Sequence, residues 1–415
     1  MEMPNDYAYS VRMSPMKFGV GVSREIGNDL KRMGIKSVLL VTDENLNRNT
    51  DIPKKIKGYI EQEGISVEVY DKVEPEPSYQ RVNDALEVAS SLDVDAFVGV
   101  GGGSAMDVAK ATSLYLTHPA DFFDYIGKPF GKGKPIPPGP IKPVICVPTT
   151  AGTGAETTPM ASFAIPEKGI KIGFGAPNMM PALAVVDPLN TVTMPPSVTV
   201  ATGVDALSHA FEAYTAVAYN ARPMPRTPEE RPVYVGCNPV TDVFAERAIE
   251  LIGKYFRRAV AKPNDIEARS GMSLAAFLAA VAFGNAGVHI NHAISYSFPY
   301  ERHLPHGIAV GLCFPGTALF TAPIYPEKHL RVAELLGENT EGASKYEAGE
   351  LVYNALVRLY YDIGFPNGIS EYFDESDIPE FVKKASQQTR LLSAACRYPS
   401  EKDLEEIFRN SLSFW

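Results

Sequence analysis

Residues 96–100, Ala-Phe-Val-Gly-Val, form an unbroken apolar run that passes directly into Gly101-Gly-Gly-Ser104 and then a helical pattern through Tyr115. No polar residue interrupts the run, so a strand here is buried on both faces, as in parallel sheets. The runs at 37–43, 143–147 and 183–187 repeat that pattern. Helical periodicity fills 51–64 and 79–92, a short strand is expected at 66–70, and a strand pair near 7–13 and 17–20 precedes a helix over 23–33. Strand alternating with helix predicts a doubly wound, mostly parallel, Rossmann-like α/β sheet with ligand at the carboxyl ends of its strands.

The glycine turn at 101–103 lets backbone amides approach a phosphate, and the following helix N-terminus adds a favourable dipole. Asp107 fits the first turn of that helix. The standard G-x-G-x-x-G fingerprint is not met, and tight strand-to-helix turns also need glycine for packing alone. A second loop, Pro148-Thr-Thr-Ala-Gly-Thr-Gly-Ala-Glu156, follows the strand at 143–147 and offers hydroxyls to a phosphate or ribose. The run at 37–43 ends in a carboxylate, Asp43.

Beyond Met194-Pro195-Pro196 strand signals cease and the chain becomes rich in Ala and Leu. The domain boundary is therefore expected near 190–196, with residues 1–193 forming the α/β domain and 194–415 an all-helical one. Asp205 and His209, four apart on a helix, share a face among Val204, Ala206, Leu207, Ala210 and Phe211. A carboxylate and an imidazole buried there need a partner. A capped or hydrogen-bonded pair is the usual explanation. The chain has only 7 histidines, however, and four of them (His289, His292, His303, His306) fall in the eighteen residues 289–306. His292 and His306 offer two more ligands, and one carboxylate with three imidazoles suits Zn2+ or Fe2+. Residues 220–240, with five prolines and three arginines (Arg222, Arg226, Arg231), read as a long ordered loop.

Composition narrows the partners. The net charge is −10 with no run of Lys and Arg, which argues against nucleic acid and anionic membrane. No apolar run is expected to span a membrane. The start, Met-Glu-Met-Pro-Asn-Asp, reads as neither signal nor transit peptide. Four scattered cysteines without C-x-x-C fit free thiols, and the expected location is cytoplasmic.

Taken together, Gly101-Gly-Gly-Ser-x-x-Asp107, Pro148-Thr-Thr-Ala-Gly-Thr-Gly-x-Glu, Gly-Val-Asp205-Ala-Leu-x-His209 and His292 with Pro-His306-Gly resemble the iron-containing (group III) alcohol dehydrogenases. The resemblance spans essentially the whole chain, in the family's order. Within that family, the tracts at 124–135, 238–242 and 283–289 are similar to the hydroxyacid–oxoacid transhydrogenases. It implies a dehydroquinate-synthase-like architecture, NAD, and one Fe2+ or Zn2+ held by Asp205, His209, His292 and His306, the last two fourteen residues apart. His289 lies outside the motif, as a supporting or packing residue. Many relatives carry a second histidine four residues after the third ligand; here that position is Tyr296.

The resemblance also implies that Gly101, Gly102, Gly103, Ser104 and Asp107 hold the pyrophosphate, and that Thr149, Thr150 and Thr153 contact phosphate or ribose. Lys171 matches a family lysine near the ribose. Asp43 would accept ribose hydroxyls and repel a 2′-phosphate, which favours NAD over NADP. Hydride would pass between NAD and a primary alcohol or hydroxy acid, with 4-hydroxybutyrate and 2-oxoglutarate as the transhydrogenase pair. Arg222 and Arg231 are the candidates to read a substrate carboxylate, against the plain alternative that they make surface or subunit contacts. A small-molecule substrate and a homo-oligomer, dimer or larger, complete the expectation. The alternatives are a general NAD-dependent alcohol dehydrogenase, a dehydroquinate-synthase-type lyase and a non-catalytic NAD-binding module. The lyase calls for a different ligand set and a multiply charged basic pocket.

Overall fold

The computed structural model describes residues 5–299 and 302–415. It divides into two compact units with the boundary between Met194 and Pro195. Unit one, Met13–Met194, holds β1 (Met16–Phe18), β2 (Ser37–Asp43), β3 (Ser66–Val73), β4 (Ala96–Gly101), β5 (Val144–Pro148), β6 (Met160–Ile165), β7 (Ile170–Gly175) and β8 (Leu183–Val186). Its helices are α1 (Ile26–Arg32), α2 (Glu44–Asn49), α3 (Ile52–Glu61), α4 (Gln80–Ser90) and α5 (Gly103–Thr117).

Six strands form one sheet in the order β1-β8-β5-β4-β2-β3, every pair parallel. Alternation along β2 explains the layering. Leu39 and Val41 enter a core with α4 and α5, while Val38 and Leu40 enter a second core with α1 and α3. The chain runs outward from β2 to β3 and then returns to place β4 on the other side of β2. The carboxyl ends of β2 and β4 therefore flank the point where strand order reverses, which is where ligands bind in open α/β sheets. Gly99 allows the sheet to meet α5 closely: a Cβ there would lie 2.9 Å from the Met106 Cα.

Two local expectations change. No strand forms at 7–13, and β1 covers only Met16–Phe18. The antiparallel hairpin β6–β7 was not expected; its short, mixed sequence lacks the apolar continuity of the sheet strands.

The second unit contains α6 (Pro196–Tyr214), α7 (Pro239–Ala261), α8 (Ile266–Ala286), α9 (Ile290–Ser295), α10 (His306–Gly311) and α11 (Phe314–Thr321). It continues through α12 (Pro326–Leu335), α13 (Ala348–Ile363), α14 (Ile378–Ser386), α15 (Thr389–Leu392) and α16 (Glu401–Arg409). No strand occurs here among the described residues. Residues 5–12 group with this unit and not with the α/β domain, where the sequence had put them. Asp6 takes a two-pronged ion pair from Arg231, and Asn285 bonds both the amide and the carbonyl of Arg12. Helix α8 is long and apolar enough to cross a membrane by length and composition, contrary to the reading of the sequence. It packs against α6 and α7, and 72% of its most apolar window is buried, as a core helix requires.

Candidate metal centre and cofactor edge

Pro195 and Pro196 open α6, a position that needs no amide hydrogen bond. Asp205, Ser208, His209 and Glu212 then fall on one face at i, i+3, i+4 and i+7. All four are buried. The Nε2 of His209 lies 3.7 Å from Asp205 Oδ1, and the Nε2 atoms of His292 and His306 each lie 3.9 Å from the same oxygen. His209 and His292 face each other Nε2 to Nε2 at 3.1 Å. Asp205, His209 and His292 are the buried core of the cluster, and His306, 32% exposed, closes it from α10.

Asp205 Oδ1 is buried and has no hydrogen-bond partner among the described residues. Leaving such an atom unsatisfied is costly. Donor atoms each roughly 2.1 Å from a shared ion sit roughly 3–3.5 Å apart. The His209–His292 separation of 3.1 Å falls in that range and the contacts of 3.7–3.9 Å to Asp205 lie a little beyond it, so the donor set of one carboxylate and three imidazoles suits a divalent ion after a small inward shift of its ligands.

The approach of α10 to α6 depends on Gly307. A Cβ there would lie 1.8 Å from the Ala201 carbonyl oxygen and 3.2 Å from Asp205 Cβ. His306 thus reaches the cluster because its neighbour has no side chain. His209 stacks on Phe283 of α8, with ring centroids 4.0 Å apart.

Glu212 is the residue that reasoning from sequence missed. Its Oε1 accepts the amides of His289 (2.8 Å) and Asn291 (2.9 Å) at the start of α9. Its Oε2 accepts from Ser208 Oγ at 3.2 Å and from His292 Nδ1. Burial alone would raise its pKa, but the His292 and His289 rings and these bonds hold it at about 2. An ionised carboxylate only accepts, so His292 carries its proton on Nδ1 and turns the Nε2 lone pair toward Asp205. The signal was present: Glu212 extends the Asp205–His209 stripe by three residues.

His289 caps α9, its Nδ1 accepting from the Ile290 amide, and its Nε2 lies 3.1 Å from Thr215 Oγ1. Tyr296 follows α9 and is half-buried.

In the α/β unit, α5 begins at Gly103 with no side-chain cap, leaving its first amides available. Gly101 has φ +154°, and a Cβ there would lie 3.6 Å from Asp43 Oδ2. A Cβ on Gly102 would meet Thr150, and one on Gly103 would press within 3.0 Å of Thr153 Oγ1. The two loops thus form one cradle whose floor is bare backbone, with Ser104 in the first turn and the Thr149 amide bonded to the Gly101 carbonyl at 2.9 Å. Asp43 Oδ1 caps α2 through the Leu46 amide at 2.7 Å, and burial raises its pKa.

Asp107 faces protein groups: Lys110 Nζ at 2.9 Å and the Ser162 amide at 2.9 Å. Lys110, wholly buried, also donates to the carbonyls of Ala155 and Met160 and so ties α5 to the threonine loop. Lys171 on β7 pairs with Glu76 at 2.6 Å. In the other unit, Arg231 is paired with Asp6, and Arg222 donates Nη1 to the Tyr234 carbonyl at 3.1 Å.

Residues 14–188 match the family model described as iron-containing alcohol dehydrogenase, and residues 230–412 match the C-terminal model of the Fe-containing alcohol dehydrogenase family. The chain is 41% identical to the mitochondrial hydroxyacid-oxoacid transhydrogenase of Rattus norvegicus, over 99% of this chain and 91% of that protein. A crystal structure of 1,3-propanediol oxidoreductase superposes with a TM-score of 0.88 at 32% identity, covering 98% of this chain and all of that one. The sulfoacetaldehyde reductase of Bifidobacterium kashiwanohense, solved in complex with NAD+, gives 0.83 at 26% identity, covering 99% of each chain.

The cytoplasmic location expected above is contradicted, because the rat, cattle and human relatives are named as mitochondrial enzymes. The four free thiols do not discriminate, since they require only a reducing compartment. With both halves matched in order and the rat relative aligned over 99% of this chain, the chain belongs to the iron-containing alcohol dehydrogenase family.

Proposed function

We propose that this protein is a metal- and NAD-dependent oxidoreductase that passes hydride between hydroxy acids and oxo acids. In its transhydrogenase form, 4-hydroxybutyrate and 2-oxoglutarate become succinic semialdehyde and 2-hydroxyglutarate. The observation that carries this reading is the unsatisfied Asp205 Oδ1 faced by three imidazole Nε2 atoms, in a chain 41% identical to a hydroxyacid-oxoacid transhydrogenase.

A bound Fe2+ (or Zn2+) would supply Lewis acidity toward a substrate oxygen, and a bound NAD would supply the hydride carrier. Asp205, His209, His292 and His306 would hold the metal, and Glu212 orients His292. The amides of Gly102, Gly103 and Ser104 would bind the pyrophosphate, with Thr149, Thr150 and Thr153 turning hydroxyls toward phosphate or ribose. Asp43 accepts the adenosine ribose hydroxyls through Oδ2, and Lys171, steadied by Glu76, lies by the other ribose. Asp107 braces the glycine turn through Lys110 and the Ser162 amide. Tyr296 lines the substrate side and offers a phenol in place of an imidazole. The enzyme acts on small molecules as a homo-oligomer.

The test is NADH absorbance with a panel of alcohols and hydroxy acids, with and without 2-oxoglutarate. Succinic semialdehyde formed with 2-hydroxyglutarate in equal amount, at catalytic NAD, supports the proposal. Oxidation of uncharged alcohols alone, indifferent to 2-oxoglutarate, would leave a general alcohol dehydrogenase.

A further inference from the structure

The loop after α6 encloses a cavity of about 570 Å3, within the size range of small-molecule sites. Its walls include the apolar side chains of Val217, Pro223, Met224 and Val235, with Arg222 among them and Ser393 at one side. The cavity's walls are joined to elements that neighbour the metal cluster. The amides of Val235 and Gly236 donate to the carbonyls of Asn285 and Ala286 at the end of α8, just before His289 and α9. Ser393 directly follows α15, which packs on α9, the helix of His292.

Three arginines line this cavity, Arg222, Arg226 and Arg231, together with the carboxylates of Asp6 and Glu230, and Arg222 and Arg231 differ in their partners. Arg231 has its fork filled: Nε and Nη2 donate to the two oxygens of Asp6 at 2.7 and 2.8 Å. Arg222 has no carboxylate partner among the described residues. Its Nη1 reaches only the Tyr234 carbonyl, its Nε is buried without an acceptor, and burial lowers its pKa. Its backbone is fixed from outside, the Asp6 amide donating to the Arg222 carbonyl at 2.8 Å. A pre-positioned, half-buried guanidinium beside the apolar side chains of this mixed cavity has no anion paired with it. The arginine fork matches a carboxylate in geometry.

We infer that Arg222 binds the carboxylate of the hydroxy-acid and oxo-acid substrates in this cavity, and that Arg231 only holds the wall through Asp6. This rests on the function proposed above for the substrate class, but the cavity itself is testable without turnover. Arg222→Gln and Arg222→Lys would be compared with Arg231→Gln in the metal-loaded enzyme, with thermal melts to verify folding. Binding of 2-oxoglutarate is read by calorimetry without NAD, and turnover is read with 4-hydroxybutyrate and with 1-butanol.

Arg222→Gln is expected to raise the Kd for 2-oxoglutarate and the KM for 4-hydroxybutyrate about 10- to 100-fold, with 1-butanol kinetics unchanged. Arg222→Lys should recover part of that loss, and Arg231→Gln should lower the melting temperature while leaving the Kd within about threefold. Wild-type affinity in a folded Arg222→Gln, equal losses on 1-butanol, or a loss carried by Arg231 instead would overturn the inference. An enzyme that binds 2-oxoglutarate through Arg222 yet turns over no hydroxy acid would refute the proposed reaction and leave the site standing. No binding by the wild type would refute the site.

Discussion

Glu212 Oε2 accepts the Nδ1 proton of His292, and that contact decides which nitrogen of His292 faces Asp205. The same carboxylate holds the first amides of α9, so one side chain on α6 sets both the position and the tautomer of a ligand on another helix. Removing its charge should weaken metal binding without removing any ligand. Glu212→Gln is expected to lower metal affinity about 10- to 100-fold, measured by competition with a chromophoric chelator. Unchanged affinity would reduce Glu212 to a helix-capping role.

Gly307 makes a separate prediction. A methyl there collides with the Ala201 carbonyl, so Gly307→Ala must push α10 off α6 and carry His306 away. Metal affinity should fall while Asp205, His209 and His292 stay together, and stability should drop by roughly 1–3 kcal/mol from overpacking. A denaturant melt paired with metal analysis checks both parts.

The choice of NAD follows from Asp43. Its Oδ1 caps α2, while Oδ2 lies beside Gly101 at the reversal of strand order. Asp43→Ser keeps a capping oxygen but removes the charge. The variant should gain activity with NADP while retaining most of its stability. A wild type that already uses both cofactors equally would dismiss the assignment.

Glu156 predicts a pH dependence of stability. It is buried beside Lys110 and Cys146, and burial, opposed by Lys110, pushes its pKa up to about 7. The folded state therefore binds this proton more tightly than the unfolded chain. Its contribution is fully present below the ordinary glutamate range and is lost as pH rises through about 7, by up to about 3 kcal/mol. Glu156→Gln should flatten urea-melt stability between pH 4.5 and about 7, the window between the ordinary and the raised pKa. An unaltered slope would show that Glu156 stays ionised throughout.

The sheet strands were legible because Val38–Val41 and Phe97–Val100 lie buried between two helix layers and so are apolar on both faces. The hairpin β6–β7 was not, since its residues mix polar and apolar positions. The Asp205–His209 pair was legible from helical spacing, and the crowding of histidines at 289–306 pointed to His292 and His306 as further ligands, which the resemblance then singled out. Glu212 and Lys110 escaped because a buried charge betrays itself through its partners, and those come from distant segments: the start of α9 for Glu212, the threonine loop for Lys110. Nor does sequence reveal that Asp6 satisfies Arg231 and leaves Arg222 without an anion.

The central claim is that Asp205, His209, His292 and His306 hold one divalent ion per chain, and metal content per chain in His209→Ala tests it most directly. The purified wild type should carry close to one equivalent. His209→Ala should retain its helical circular dichroism and carry almost none. A folded His209→Ala that still holds a stoichiometric ion would contradict the account.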